Sequence, residues 1–296
     1  MKKSAPLLIV TAAVLWGSMG LFVRTLTALG YETFQLVFCR SILTATILII
    51  YLLIFDKEKL KIKLRDLWMF ILPSIVSVIL FNYCYMNAIN SGSMSIAATL
   101  LYTSPIFVTV ISAFAFKEKI TPLKIAALVM AFAGCILVSG FIDSANSIST
   151  RALIFGIGSG VTYGMYSIFT KIALKKYSPL TFTAYTFLIS AIISFFMFDR
   201  PALVTLIEQK PSDIILLVLF ALTINVVPYT CFTIGLKHID AGKANITATL
   251  EPVVATLFGI FMFNEKLTVI CTLGIVLVLS SAVMLNAPRK KHISKY

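Results

Sequence analysis

The sequence predicts an all-α integral membrane protein with ten transmembrane helices arranged as two inverted five-helix repeats. Three observations support this fold class: the composition is apolar, the chain divides into ten long apolar runs, and its two halves resemble each other. Of the 296 residues, 59% are hydrophobic and 12% are charged, whereas soluble domains are about half apolar and a quarter charged. This composition excludes a soluble globular protein, and the long runs differ from the short alternating strands of a membrane barrel.

The apolar runs between charged or turn residues give ten candidate spans, each near the roughly 20 residues that a helix needs to cross a bilayer. In chain order they are residues 6–27, 31–55, 67–89, 93–116, 122–141, 152–174, 179–198, 212–236, 241–263 and 267–286. A polar stretch separates the fifth run from the sixth. The predicted organisation is a first five-helix repeat over 1–142, a polar linker over 143–150, a second five-helix repeat over 151–286 and a basic tail over 287–296.

Lysine and arginine residues are distributed unevenly over the connections. With the N-terminus in the cytoplasm, 19 of the 25 fall on the cytoplasmic side, 5 fall on the outer side, and Arg40 lies inside a span. Cytoplasmic loops of membrane proteins carry such an excess, so we expect both termini in the cytoplasm. The net charge of +13 then reflects orientation and contact with anionic membrane lipids, and no nucleic-acid partner is expected.

A shift of 147 residues aligns the two halves of the chain. It pairs Trp16-Gly17 with Tyr163-Gly164, Pro105 with Pro252, and Glu118-Lys119 with Glu265-Lys266. Each half contains five spans, an odd number, so the second half enters the membrane from the opposite side and the repeats are inverted. Inverted repeats around a midplane site are typical of secondary transporters that work by alternating access.

Five short motifs carry a family resemblance. They are Trp16-Gly-Ser-Met19, Tyr102-Thr-Ser-Pro105, Phe116-Lys-Glu118, Leu250-Glu-Pro252 and Asn264-Glu-Lys266. Together with the repeat, they make the whole chain resemble the ten-helix, EamA-domain branch of the drug/metabolite transporter superfamily. The resemblance implies a bacterial inner-membrane protein that moves small organic metabolites, often outward. Across that family the substrates range from amino acids to sugars, nucleosides and drug-like compounds.

Two charged residues lie near the middle of predicted spans. Arg40 is 9 residues past the start of its span and Glu251 is 10 past the start of its own, which places both roughly 13–15 Å deep. Ionisable groups at that depth are costly and usually face the bundle interior or a water-filled cavity. We expect Glu251 to bind a cationic group or a coupling proton, and Arg40 to bind an anionic group. A purely structural pairing, or Arg40 reaching toward the membrane surface, stays open.

Pro105 and Pro252 occupy corresponding midspan positions, and paired helix breaks of this kind point to a transport site. Packing alone is the alternative explanation. Further residues expected to line the pathway are polar or aromatic: Trp16, Asn82, Tyr83, Tyr102, Tyr163, Tyr166, Asn225, Tyr229 and Asn245. Pro73 and Pro228 have no counterpart at the repeat shift, so we interpret them as local kinks.

No enzyme activity, cofactor or metal is expected, and proton coupling stays open. Gly156–Gly160 lacks the G-K-[ST] sequence of a phosphate loop, the two histidines form no metal motif, and the five isolated cysteines indicate packing residues. The sequence therefore predicts an exporter of amino-acid-like, nucleoside-like or drug-like metabolites, as a monomer or homodimer. An uptake permease of the same fold is the alternative, and a membrane-embedded enzyme, a receptor or a channel is further from the pattern.

Overall fold

The computed structural model describes residues 4–141, 149–263 and 267–287. Most of the predicted linker 143–150, Glu265 and Lys266, and nearly all of the basic tail 287–296 lie outside the described residues. The described part is helical. Its α-helices are Ala5–Gly17, Met19–Ala28, Thr33–Phe55, Trp68–Pro73, Phe81–Ser91, Met94–Leu101, Ser104–Phe116, Pro122–Val138, Thr150–Ala173, Pro179–Ser194, Arg200–Gln209, Asp213–Phe220, Val227–Leu236, Ala241–Ala248, Glu251–Phe263 and Val269–Asn286.

Ten helical segments of this part correspond to the ten predicted spans, which confirms the predicted fold class. Eight are long and apolar enough to cross a membrane, and two are shorter apolar helices. Spans 1 to 10 are Ala5–Ala28, Thr33–Phe55, Leu64–Ser91, Met94–Phe116, Pro122–Val138, Thr150–Ala173, Pro179–Ser194, Asp213–Leu236, Ala241–Met262 and Val269–Asn286. Large apolar side chains on the outside of the bundle are strongly exposed, as lipid-facing residues are; examples are Phe114 at 84% and Val283 at 69%.

Capping residues set where several spans begin and end. The side chains of Thr121, Ser149 and Ser178 accept hydrogen bonds from backbone N–H groups in the first turns of spans 5, 6 and 7, which satisfies donors that a helix start leaves free. Pro122 and Pro179 then occupy the first helical turn, where a missing N–H costs nothing. Lys117 adopts a left-handed conformation, with φ of 54°, directly after Phe116. This residue ends span 4 and turns the chain toward Glu118.

Four spans are interrupted at positions related by the repeat. Spans 4 and 9 break immediately before Ser104 and Glu251, so Pro105 and Pro252 each lie in the first turn of a new helix. Spans 3 and 8 contain π-helical segments, Ser74–Leu80 and Ala221–Val226, which begin 147 residues apart. Pro73 directly precedes the first of these segments and Pro228 lies in the first turn of the helix after the second, so the wide turns correspond although the prolines do not.

Helices of one repeat pack mainly against helices of the other. Span 2 contacts span 7, span 4 contacts span 9, and span 5 contacts span 10, while span 1 packs on span 8 as span 6 packs on span 3. This is the pattern that a pseudo-two-fold axis between inverted repeats produces. Spans 5 and 10 cross closely at Gly134 and Gly274, where a Cβ on either glycine would lie 2.8 Å from the other's carbonyl oxygen. The two repeats thus share one core.

Candidate functional site

A cavity of about 90 Å³ lies in the middle of the bundle and is lined by both repeats. We refer to it as the central cavity. Its walls come from spans 1, 2, 3, 4, 6, 8 and 9. The lining residues are Trp16, Met19, Arg40, Phe81, Asn82, Tyr85, Leu101, Tyr102, Tyr163, Ile224, Tyr229 and Glu251. The structure therefore brings together seven of the residues singled out from the sequence: Trp16, Arg40, Asn82, Tyr102, Tyr163, Tyr229 and Glu251.

Arg40 brings a buried positive charge to the central cavity. The residue is 5% exposed, and its Nη2 donates a long hydrogen bond of 3.4 Å to Oδ1 of Asn82. The amide of Asn82 is oriented by its own hydrogen bond of 2.7 Å to the carbonyl of Val78, which belongs to the π-helical segment of span 3. The Nε atom of Arg40 is buried and has no hydrogen-bond partner. The guanidinium thus retains donor capacity that the protein does not use.

Glu251 is the first residue of the helix that follows the break in span 9. One of its carboxylate oxygens accepts a hydrogen bond of 3.3 Å from the hydroxyl of Tyr163. A helix N-terminus carries a partial positive charge that stabilises a nearby carboxylate. The break that Pro252 accompanies therefore places an acidic side chain at the cavity and at the N-terminus of a helix.

Arg40 and Glu251 line the same cavity without pairing. Among the described residues, no salt bridge within 4.0 Å joins them, although other ion pairs do form. Within the described part of the chain, the side chain of Arg40 bonds to a neutral amide and that of Glu251 to a phenol. The cavity thus presents one guanidinium and one carboxyl group, separated, and half of its lining residues are aromatic.

Three aromatic rings form a partition on one side of the central cavity. The ring centroids of Trp16 and Tyr229 are 5.1 Å apart, and those of Trp16 and Tyr163 are 6.4 Å apart. The indole N–H of Trp16 donates a hydrogen bond of 3.1 Å to the carbonyl of Ile224, in the π-helical segment of span 8. We call Trp16, Tyr163 and Tyr229 the aromatic partition. Wide π turns are frequent at functional sites, and here each one supplies a carbonyl that orients a cavity side chain.

A smaller void of about 10 Å³ lies behind the aromatic partition. Besides the three rings, its lining residues are Ser77, Tyr166, Ser167, Phe232 and Asn245. The amide of Asn245 donates a hydrogen bond of 2.7 Å to Oγ of Ser167. We call this space the inner void. Asn245, singled out from the sequence, therefore lines the inner void instead of the central cavity.

Two other residues expected to line the pathway are placed elsewhere. Tyr83 is 45% exposed on the outside of the bundle, with its ring centroid 6.0 Å from that of Phe155. Its cavity-facing neighbours are Phe81, Asn82 and Tyr85; Tyr85 is four positions from Phe81 and three from Asn82, and residues at those spacings share a helix face. Asn225 is fully buried within the π-helical segment of span 8, and both of its side-chain polar atoms lack a partner. It does not line the central cavity.

Sequence reasoning did not name five of the lining residues: Met19, Phe81, Tyr85, Leu101 and Ile224. Tyr85 could have been predicted from the sequence, because it lies four positions after Phe81 and three after Asn82 and so shares their helix face. The others are apolar and carry no distinguishing signal. Within the part of the chain that the structure describes, no group of three His, Cys, Asp or Glu side chains is placed to hold a metal ion.

Comparison with known proteins shows which family this chain matches. The family model described as "EamA-like transporter family" matches residues 3–140 and again residues 150–287. A crystal structure described only as that of a protein superposes with a TM-score of 0.76, covering 95% of this chain and 96% of that chain at 19% sequence identity. At that identity the likeness concerns the fold alone.

Curated relatives match over nearly the whole chain. An uncharacterized transporter of Archaeoglobus fulgidus is 27% identical, covering 93% of this chain and 94% of the relative. The uncharacterized transporter YwfM of Bacillus subtilis is 24% identical, with 98% and 96% covered. YicL of Salmonella typhimurium, an uncharacterized inner membrane transporter, is 21% identical, with 96% and 95% covered.

Proposed function

Because this chain belongs to the EamA-like transporter family and is a multi-span membrane transporter, we propose that it exports small zwitterionic metabolites by alternating access around the central cavity. Among the substrate classes that the sequence leaves open, this choice favours amino-acid-like molecules. We propose export because the family that the chain resembles often moves metabolites outward. Uptake through the same cavity is the alternative, and the experiment below distinguishes the two directions.

One observation carries the substrate class: Arg40 and Glu251 line one cavity and remain unpaired. A buried charge without a counter-ion costs several kcal/mol, so a ligand that supplies both missing charges binds strongly there. The carboxylate of such a ligand would meet Arg40, whose Nε has no partner, and its ammonium group would meet Glu251. A substrate with a single charge would leave the other residue uncompensated.

The aromatic walls fit the remainder of such a substrate. The rings of Tyr85, Tyr102 and Tyr163 present faces that attract an ammonium group or stack on an apolar side chain. The volume of about 90 Å³ is smaller than the roughly 300–1,000 Å³ of typical ligand pockets. We therefore propose that the cavity widens in another conformation of the cycle. Exchange between two such conformations is the motion that inverted repeats permit.

We place the protein in the bacterial inner membrane with both termini in the cytoplasm. This assignment is supported by the excess of basic residues on one side, 19 against 5, and by the likeness to an inner membrane transporter of Salmonella typhimurium. Nothing in this scheme requires a cofactor. Glu251 is the group through which a proton could couple to transport, because it is the ionisable carboxyl of the cavity.

Comparative export tests the proposal. Bacterial cells carrying the wild type, Glu251→Gln, the control Glu208→Gln or an empty vector would be matched for membrane levels of the protein, and metabolites in the medium would be quantified. Glu208 is an exposed residue of the helix Arg200–Gln209, so its variant should behave like the wild type. We expect an amino-acid-like compound to accumulate with the wild type and Glu208→Gln, and to fall at least about tenfold with Glu251→Gln, since the ammonium group loses its counter-charge.

Three results would contradict parts of this proposal. Equal export by Glu251→Gln would remove the role of that carboxylate. Accumulation of a compound that lacks either charge would remove the zwitterionic class. Depletion of a compound from the medium by the wild type would reverse the direction to uptake.

A further inference from the structure

A second group of charges lies at the end of the bundle that Ala5 occupies. The carboxylate of Glu118 accepts hydrogen bonds of 3.3 Å from Lys124, 3.0 Å from Lys171 and 2.8 Å from the backbone N–H of Ala241. A further bond of 3.4 Å comes from the N–H of Gly242. We call these five residues the Glu118 cluster and this end of the bundle the Ala5 face. Ala5 lies there against Gly235, near the end of span 8.

The Glu118 cluster is buried and fully paired. The side chains of Glu118 and Lys124 are each 5% exposed, and that of Lys171 is 19% exposed. Burial by itself would raise the pKa of Glu118, but the N–H of Ala241 and the ammonium of Lys171 outweigh it and hold the pKa below its ordinary value. The carboxylate is therefore ionised at neutral pH. Buried charges require this degree of compensation.

The cluster joins the two repeats. Glu118 lies in the connection between spans 4 and 5 and Lys124 in the first turn of span 5, both in the first repeat. Lys171 lies in the last turn of span 6 and Ala241 begins span 9, both in the second repeat. The contact is tight, because a Cβ on Gly242 would lie 2.8 Å from Cε of Lys124 and 2.9 Å from Oγ1 of Thr109. At the Ala5 face, the repeats can separate only if these bonds break.

A column of polar groups connects the central cavity with the cluster. Tyr163, Ser167 and Lys171 follow one another at four-residue intervals on one face of span 6, over about 12 Å. In this order they belong to the aromatic partition, the inner void and the Glu118 cluster. On span 9, Asn245 lines the inner void and Ala241, four residues earlier, belongs to the Glu118 cluster, so the last two regions follow in the same order there. Polar groups in such a column are unusual in the core of a membrane protein and often line a pathway.

Two hydroxyls beside this column, on spans 3 and 4, are buried without a hydrogen-bond partner among the described residues. Oγ of Ser77 borders the inner void, and Oγ1 of Thr109 faces Gly242 in the cluster. Buried polar groups are nearly always paired with protein or water. Water that entered the column in another conformation would supply partners for both hydroxyls.

We propose that the substrate route from the central cavity to the Ala5 face runs between spans 6 and 9 along this column, and that the Glu118 cluster is the latch that closes it. In this conformation the route has two barriers, the aromatic partition and the latch. The inference rests on the alternating-access part of the proposed function. It differs from a permanent structural staple, which would hold the repeats together throughout the cycle.

Sided cysteine labelling tests the latch without any substrate. Ser167, which is 2% exposed in the inner void, is replaced by cysteine in a chain that retains Cys135 as its one native cysteine. A membrane-impermeant methanethiosulfonate reagent is applied separately to each side of vesicles of known orientation. Cys135 is fully buried, so its protection reports that each variant remains folded.

Two variants weaken the latch to different extents, and a third variant is a matched control. Glu118→Gln abolishes its charge, while Lys171→Gln removes one partner and leaves Glu118 bonded to Lys124 and two backbone N–H groups. Glu58→Gln is the control, because Glu58 lies in an exposed ion pair with Lys61 near the start of span 3. We expect slow labelling of Ser167→Cys with the latch intact. Labelling from the Ala5 face should be about tenfold faster in Glu118→Gln, a change that corresponds to about 1.4 kcal/mol. Lys171→Gln should be intermediate and Glu58→Gln unchanged.

Unchanged labelling in Glu118→Gln and Lys171→Gln, with Cys135 protected, would overturn the latch, as would acceleration from the opposite face alone. If Glu118→Gln exposes Cys135, the milder Lys171→Gln decides by the same criteria. Failure of the latch and failure of the proposed function remain distinguishable. Normal export with unchanged labelling rejects the latch, whereas accelerated labelling without export of any zwitterion rejects the substrate assignment.

Discussion

The central cavity and the Glu118 cluster both contain buried charged side chains but satisfy them differently. Arg40 is 5% exposed and makes one long hydrogen bond to a neutral amide. The side chain of Glu118 is also 5% exposed, yet it accepts bonds from two ammonium groups and two backbone N–H groups. Burial alone therefore does not distinguish a structural charge from a functional one. The number of partners does.

The difference indicates what each region contributes. Paired charges at the Ala5 face stabilise one arrangement of the repeats, because removing a partner leaves an uncompensated buried charge. Unpaired charges at the cavity lower the stability of the protein without ligand and favour a ligand that pairs them. Substitutions at the central cavity should therefore reduce transport more than stability. Substitutions in the Glu118 cluster should reduce stability more than transport.

The largest expected contrast is Arg40→Met. Export of the zwitterionic substrate should fall more than about tenfold, while the free energy of unfolding in detergent should stay the same or rise by up to about 4 kcal/mol, since a poorly compensated buried charge is removed. Export assays and thermal unfolding of the purified protein measure both effects. Arg200→Met, at an exposed position, is the control. A marked loss of stability with export retained would show that Arg40 is a structural residue.

For Glu118→Gln we expect a larger effect on stability than on transport. We expect a loss of about 3 kcal/mol in the free energy of unfolding, typical of breaking a buried ion pair. The pH dependence follows from the lowered pKa of Glu118. A carboxyl whose folded pKa is depressed stabilises the protein above its unfolded pKa, near 4.3, and loses that contribution as pH falls through the lower folded value. Unfolding temperatures measured from pH 7 to pH 3 should thus fall less steeply in the variant. Parallel profiles would contradict the assignment.

The smallest effect is expected at the exposed pair of Glu58 and Lys61, whose side chains are 77% and 74% exposed. Solvated ion pairs contribute little to stability. Lys61→Ala should therefore change the free energy of unfolding by no more than a few tenths of a kcal/mol in the same unfolding measurement. A change as large as that of Glu118→Gln would mean that burial does not separate the two kinds of ion pair.

The fold can be predicted from the sequence more completely than the candidate site can. Hydropathy locates the ten spans because each must cross the same thickness of hydrocarbon. Counting residues from span ends also places Arg40 and Glu251 at similar depth. The two misplaced residues, Tyr83 and Asn225, lie just after and within the π-helical segments. A π turn contains more residues than an α turn, so the face that a residue occupies cannot be followed through it by α-helical spacing.

The Glu118 cluster escaped sequence analysis for a different reason. Glu118-Lys119 is visible as a marker of the repeat, but its partners Lys171 and Ala241 lie 53 and 123 residues further along the chain. Which of the 25 basic residues meets Glu118 depends on how spans 4, 6 and 9 pack. A single sequence does not contain that information.

The close crossing of spans 5 and 10 at Gly134 and Gly274 has the form of an isologous dimer contact, although both sides belong to one chain. In a true dimer of identical subunits, every substitution near the axis appears twice, so an acidic residue would face its own copy. Here the positions related by the repeat have diverged: Glu251 corresponds to Ser104, and Arg40 to Phe187. Fusion of the two halves therefore allows an asymmetric cavity, with one charge of each sign, inside a nearly symmetric framework.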